Sequence, residues 1–578
     1  MRRLIFAIAL IACLLLTTQA QDGHGVIRQG VINNLDSDIT SFNPLLCADM
    51  ACYFTSELLF PTLFAVDHDT QWLTSGTEDN HALADSWTMS EDNSVITIQL
   101  RDDVFWSDGT AITAYDYFYS YLALDNGLGR ISSTQLDARV EGVVPISTTE
   151  LVVILKEADC EALPHLNIPI IPSHVFDDSF AETTATFFTD ALDNPRSSWV
   201  LWDETGNYDA SLLLNNSFNS LPSVSGTNFE FVDWDNREHI RLRSGDVAFE
   251  MLAVSSFEDW TSRFLMGDLD VVPILPERLA DFTSNPNVQI IETQSPLWSY
   301  IAINLADPSE PMNFADEDGN LLEQGEHPIL GTLAIRQALE LGIDKQSLID
   351  IALHGQARVI SSLSAPTSWA YDEAVAISEY NPDEAERLLE DAGWVRVAGR
   401  AIRECVNCGS APDGTALRLS LAYSNQSQEG TTAILLQQQL RRIGIELSTY
   451  QSNFADMRGQ RFDLYLGTWS NDYPASPSLN VLFNPQADVL NSGQNITSYN
   501  NPNVTALLEN LDAVSQCDLS ERQAIHSDIQ GILRADLPYI PLYSETASIA
   551  VRADIQNVSM TPDDIYWNLE DWVVFNAP

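Results

Sequence analysis

Cys405-Val406-Asn407-Cys408 brings two thiols closer together than any other pair in this 578-residue chain. Two thiols at that spacing can supply half of a zinc site. Neither a second such pair nor paired histidines accompany them, so a small disulfide-closed loop is the expectation. Cys47 and Cys52 form a second candidate pair. With Cys160 and Cys517, these cysteines make an even set beyond the N-terminal apolar run, which suits an oxidising compartment, although sequence alone leaves the connectivity open. The 9 histidines are scattered, with no i,i+4 metal pair. GxSxG, HExxH and Walker-type loops are absent. With 82 Asp and Glu residues, chance carboxylate pairs are inevitable, so a secreted carboxylate-dependent hydrolase finds no specific support. No metal, cofactor or catalytic residue is expected.

Charge narrows the partners. Twenty-eight basic against 82 acidic residues give −54, and Lys156 and Lys345 are the only lysines. Nucleic acid is excluded because phosphate contacts need a basic face, and anionic membrane surfaces are disfavoured for the same reason. Such a field attracts cations, or else it adapts the surface to salt or acid outside the cell. The 45% apolar content, with 13 Trp, 17 Tyr and 23 Phe, is that of a large folded protein. Arg2-Arg3, the apolar run Leu4–Leu16 and Thr18-Gln19-Ala20 read as a secretory signal peptide over residues 1–20. Leu10-Ile11-Ala12-Cys13 offers an alternative lipoprotein cleavage box at Cys13. Cutting there would leave Leu14-Leu15-Leu16 after the lipidated cysteine.

Several elements can be placed. Ser86–Met89 and Val95–Leu100 alternate around the turn Glu91-Asp92-Asn93, which predicts a hairpin. Thr113, with Asp116 three residues on, predicts the start of an aromatic-faced helix carrying Tyr117, Phe118 and Tyr121. A helix is expected from about Thr55, and the Asp/Asn-rich stretch 192–220 reads as a surface insertion. From Gly331 the pattern is α/β. Thr332–Ile343 and the segment after Asp344 predict helices, and Asn381-Pro382 through Gly393 forms another with its own cap and stop. Leu417–Tyr423, Thr431–Arg442, Ile445–Tyr450 and Phe462–Trp469 follow as strand, helix, strand and strand, with a right-handed crossover. Helices at Asn503–Leu511 and Glu521–Arg534 precede a strand at Pro541–Ser544.

Read in order, these pieces resemble one family. They are A-x-S-W at Ala84–Trp87, then F-W-S-D-G-T at Phe105–Thr110, and the Phe42-Asn43-Pro44 and Pro61-Thr62-Leu63 opening. The Ile168–Phe176 stretch follows, then Phe264–Asp270, Ile335-Arg336-Gln337-Ala338-Leu339 and Tyr380–Trp394. The last are Gln439–Leu447 and Leu537-Pro538-Tyr539-Ile540-Pro541-Leu542-Tyr543. The chain is similar over about residues 30–570 to the extracytoplasmic solute-binding proteins, family 5, of peptide- and nickel-type ABC importers.

The resemblance implies a bilobal, periplasmic-binding-protein-like α/β fold of the large peptide-binder class. It has mixed sheets, an extra subdomain and two lobes joined by hinge strands. Residues 21–60, 200–297 and 545–578 would form the lobe I core, 61–199 the extra subdomain and 298–544 lobe II. Closure of the lobes over a ligand would be the mechanism, with an ABC permease as partner and a monomer as the working form. The same resemblance implies the site. Trp469-Ser470-Asn471-Asp472-Tyr473 matches the family's W-x-x-D-Y, whose aspartate meets a ligand ammonium. Its usual continuation is replaced here by Ala475-Ser476-Pro477. Ala48-Asp49-Met50 would offer a backbone edge to an extended peptide. Arg458 and Arg461 could receive a carboxylate, and Tyr300 and Asn304 would lie at the hinge. Oligosaccharides, nickel chelates and haem stay open as other ligands, as does a sensor role.

Overall fold

The computed structural model describes residues 25–32, 41–67, 72–77, 80–128, 134–189, 194–206, 208–235, 238–245, 247–316, 320–424, 427–470, 479–562 and 564–575. The expected signal peptide at residues 1–20 and Cys13 lie outside them.

The protein is built around two long strands, Val288–Ile303 and Tyr539–Arg552, paired antiparallel along almost their whole length. They belong to an 11-stranded sheet that runs through both lobes. On one side, Val271–Pro273, Val26–Ile32, Val247–Val254, His239–Ser244 and Glu230–Asp235 follow in that order and form lobe I. On the other, Leu464–Ser470, Arg418–Tyr423 and Glu446–Gln451 form lobe II. Alternation along Val288–Ile303 builds the lobe II interior on both faces. Ile301 and Ile303 enter the core under helices Leu333–Leu341 and Ser427–Arg442, while Trp298, Tyr300 and Ala302 enter the core on the opposite face.

The pairing slips between Gln294 and Trp298, around Ser295, Pro296 and Leu297. Proline cannot donate to a ladder, so Pro296 is a position where regular pairing must lapse. Gln294 bridges the lapse by donating from Nε2 to the carbonyls of Ser544 (3.1 Å) and Glu545 (2.5 Å). This is where the two lobes meet. Tyr300 and Asn304, expected at the hinge, lie beyond it inside lobe II. Tyr300 is buried among Trp298, Tyr465 and Tyr539. Asn304 donates to the carbonyls of Gln460 and Phe462, fixing the entry to strand Leu464–Ser470.

The extra subdomain is a four-stranded antiparallel sheet in the order Ala84–Met89, Val95–Leu100, Glu150–Leu155, Val140–Pro145. The hairpin pairs Trp87 with Ile98 and Met89 with Ile96, and its turn places Asn93 in the left-handed region that asparagine tolerates. Thr113 and Asp116 close a capping box at the head of helix Ala114–Asp125. The 192–220 stretch corrects the surface-insertion expectation, because its acidic and amide residues surround a buried aromatic stripe. Helix Pro195–Thr205 buries Trp199 and Trp202, with Trp202 ringed by Phe118, Phe187 and Phe188 at 4.9–5.3 Å. Trp199 lies over Gly142, where a side chain would collide with its ring at 2.1 Å.

Three disulfides are present among the described residues, Cys47–Cys52, Cys405–Cys408 and Cys160–Cys517. Gly393, at φ +80°, ends helix Pro382–Asp391 and lets Cys408 approach to where a Cβ would meet its Cα at 2.7 Å.

Candidate functional site

Strand directions locate the site. In lobe I, Val26–Ile32 runs parallel to Val247–Val254 and Val271–Pro273, and the last of these is antiparallel to Tyr539–Arg552. All three therefore point along Val288–Ile303, toward lobe II. In lobe II, Arg418–Tyr423 runs parallel to Glu446–Gln451 and Leu464–Ser470, which opposes Val288–Ile303. The carboxyl ends of the parallel strands in the two lobes face each other. Loops leaving such ends are where open α/β sheets hold ligands.

The floor between them can be named. Trp298 pairs with Trp469 on one side and Ser544 on the other, which marks the edge of lobe II. The amide of Ile274, just past the lobe I strand end, donates to the carbonyl of Ser548 at 2.8 Å. Glu545, Thr546 and Ala547 lie between these levels, and all three are half-buried within an otherwise buried strand.

Beside the floor, Glu429 is buried near the start of helix Ser427–Arg442, close to the end of Arg418–Tyr423. Its carboxylate accepts from the Ser424 amide at 2.9 Å, the Ser424 hydroxyl and the Thr468 hydroxyl at 3.3 Å. Burial, and then the Glu429 charge, push the Glu545 carboxyl up from its ordinary range. Burial and Glu429 also raise the Tyr465 hydroxyl to about 12. Among the described residues neither glutamate forms an ion pair. The floor thus holds two carboxyl groups in each other's field with no counter-ion among the described residues, a setting that favours an ammonium or guanidinium brought by a ligand.

The loops after the lobe II strands supply the rest. Asn453 caps a short helix, Phe454–Met457, whose Phe454 stacks edge-on to Trp469 at 5.8 Å. The Arg458 guanidinium sits 5.6 Å from the Phe454 ring centre, and its buried Nε has no hydrogen-bond partner among the described residues. Phe454 therefore joins two residues singled out from the sequence. It was missed there, although an aromatic residue directly after an N-cap at a strand end is a readable signal. Arg461 is exposed. Asp472 and Tyr473 lie outside the described residues, two and three positions past strand Leu464–Ser470.

On lobe I, the expected peptide edge is reshaped. Helix Met50–Leu59 begins five residues before Thr55, because Asp49 caps it with a 2.9 Å bond from the Cys52 amide and the Cys47–Cys52 bond folds the chain into it. The carboxylate of Asp49 is therefore engaged in capping. Ala48 and Met50 remain exposed, and Tyr53 follows on the same helix. Further along, Glu57 is open to solvent yet closely surrounded. Burial, and then the charge of Asp564, raise its carboxyl to about 8. A carboxyl group whose folded pKa is raised stabilises the protein fully below its unfolded value of 4.5 and loses that contribution as pH climbs through about 8. Thermal unfolding should therefore fall in temperature between pH 5 and 8 for the wild type and less for Glu57→Gln. Parallel curves would remove Glu57 as a cause.

Comparison with known proteins agrees with this architecture. The model of the bacterial extracellular solute-binding proteins, family 5, matches residues 80–489. The chain belongs to that family. It is 25% identical over 487 residues to the nickel-binding periplasmic protein of Escherichia coli (strain K12), covering 83% of this chain and 84% of that one. It is 23% identical over 585 residues to the oligopeptide-binding protein AppA of Bacillus subtilis (strain 168), covering 96% and 94%. Among solved structures, HbpA2 from Haemophilus parasuis superposes with a TM-score of 0.72 at 14% identity, covering 96% of this chain and 100% of that one. AppA from Bacillus subtilis in complex with a nonapeptide gives 0.61 at 19% identity, covering 96% and 100%. No helix among the described residues is long and apolar enough to cross a membrane.

Proposed function

We propose that this family 5 protein is the exported solute-capturing component of an ABC importer and that it takes peptide-like solutes carrying a cationic group. The observation that carries the reading is the unpaired Glu429–Glu545 floor between facing strand ends. Asp472 comes two positions after strand Leu464–Ser470 in the sequence, at the place where the family motif carries its ammonium partner. The backbone at Ala48 would receive an extended ligand, Trp469 would stack on it, and Arg458 would receive a carboxylate. Residues 21–60, 200–297 and 545–578 serve as the lobe I core, 61–199 as the extra subdomain and 298–544 as lobe II. The protein works as a monomer that closes and presents itself to the permease. It performs no chemistry on its cargo. A signal peptide over residues 1–20 directs export.

An ammonium 4 Å from Asp472 gains about 4 kcal/mol at an effective dielectric of 20, before desolvation is subtracted. The test is thermal unfolding of the mature protein against di- to octapeptides, sugars and nickel chelates. Ligand at about 100 times its dissociation constant stabilises by about 2.7 kcal/mol. Peptides should raise the transition, and Asp472→Asn should abolish the rise while leaving the ligand-free transition in place. A response confined to sugars or nickel chelates would leave the fold reading intact and defeat the peptide assignment.

A further inference from the structure

Lobe II is joined to lobe I a second time, far along the chain from the hinge strands. Cys160 of the extra subdomain is bonded to Cys517, at a sequence separation of 357. Polar contacts flank the bond. Asn93 Nδ2 donates to the Val514 carbonyl at 2.6 Å, and its Oδ1 accepts from the Gln516 amide at 3.2 Å. Gln516 in turn makes both of its side-chain bonds to the Met89 backbone, donating at 2.6 Å and accepting at 3.2 Å. The left-handed Asn93 turn is thus the socket that receives residues 514–516.

Next to it, the fully buried Arg522 pairs with Glu161 of the extra subdomain. Its guanidinium lies against two indoles that themselves meet edge-on at 5.4 Å, 5.2 Å from Trp72 of the extra subdomain and 4.8 Å from Trp369 of lobe II. Trp369 and Cys517 are buried in the core of lobe I and its subdomain. Helix Leu519–Asp536 begins at this junction and ends in the lobe II interior through Ile529 and Leu533. One helix is therefore rooted in both bodies.

We infer that the Cys160–Cys517 bond and the Arg522–Trp72–Trp369 cluster form a fixed second pivot between the extra subdomain and lobe II. Two bodies held at two points keep one free rotation, about the line that joins those points. The first point is the polar, half-buried crossing at Gln294–Trp298 and Ser544–Ala547, which can twist. The second is covalent and packed like a core, so it cannot separate. The lobes open about a single axis, and the mouth that admits solute lies on the side away from the clamp. This device rests on the reading of the protein as a closing two-lobed binder, but it makes no use of the ligand's identity.

The test needs no ligand. Peptide mapping of the unreduced mature protein should give one fragment that joins Cys160 to Cys517; finding both as thiols would overturn the clamp. Spin labels are then attached by non-cysteine chemistry at Leu265 and Ile434, exposed positions on a lobe I helix and a lobe II helix. Pulsed dipolar spectroscopy on the ligand-free wild type should show one interlobe population. Cys160→Ser with Cys517→Ser should add a longer one, whereas Cys405→Ser with Cys408→Ser should not. If the first pair of substitutions prevents folding, phosphine reduction is applied to a labelled variant with Cys47, Cys52, Cys405 and Cys408 all replaced by serine, in which Cys160–Cys517 is the described bond left to reduce. An interlobe distribution unchanged by loss of the bond overturns the proposal, whatever the peptide experiments show.

Discussion

Glu340→Ala is expected to remove about 3–5 kcal/mol from the stability of lobe II, because it strands a buried charge. Glu340 and Lys345 are each almost fully buried and meet at 3.3 Å, and Arg534 reaches the other oxygen of Glu340. The three residues come from helices Leu333–Leu341, Lys345–Ala352 and Leu519–Asp536, so one carboxylate ties three helices together. Burial holds the Lys345 ammonium below its ordinary range, only partly offset by Glu340. Without Glu340 the lysine must lose its proton or draw in water. Replacing both partners, as Glu340→Leu with Lys345→Met, should recover most of the loss, since the attraction in a buried pair barely exceeds its desolvation. Chemical denaturation at pH 7 measures both variants. A single-variant loss below about 1 kcal/mol would mean that the pair is already solvated.

Asp116→Ala should be nearly as damaging, at about 3 kcal/mol or more, through unsatisfied donors. Its buried carboxyl accepts from the Thr113 amide at 2.8 Å and hydroxyl at 3.1 Å, and from the Ser173 amide at 2.9 Å and hydroxyl at 2.7 Å. The first two bonds cap helix Ala114–Asp125, and the last two bind the segment that closes the subdomain. Asp116→Asn keeps one acceptor oxygen and should retain part of the stability, so the order wild type, Asn, Ala is the signature. If Asn and Ala lose equally, the charge rather than the bond count is what matters.

Which elements the sequence revealed follows from where water reaches them. The subdomain hairpin, the Thr113 and Asn381 caps and the strand–helix–strand unit near 418–451 each carry their pattern within one short continuous stretch, with one face buried throughout. The two longest strands were legible only in part. The expected strand stopped at Ser544, and Glu292-Thr293-Gln294-Ser295-Pro296 is a polar run ending in proline, yet both strands continue through these residues. They cross the open cleft there, and the side chains that face it need not be apolar. The break in the pattern was itself the mark of the site. Trp199 and Trp202 were hidden for the opposite reason, as two buried rings within a polar surround. At the candidate site, Trp469 was named from a motif and Arg458 from its place before the same strand. Glu429, Glu545 and Phe454 acquire meaning only when strand direction brings their loops together.

The Cys160–Cys517 bond also sets an order of events at birth. The chain is made from its N-terminus, so Cys160 appears 357 residues before its partner. At about 5–20 residues per second, that is a wait of roughly 20–70 s. Cys47 and Cys52, only 5 positions apart, can join almost as soon as they emerge, as can Cys405 and Cys408. Early closure of the Cys47–Cys52 loop removes the two thiols that Cys160 would otherwise meet first. The final bond then waits for helix Leu519–Asp536 to dock, so a chain truncated before Cys517 carries an unpaired thiol that marks it as unfinished.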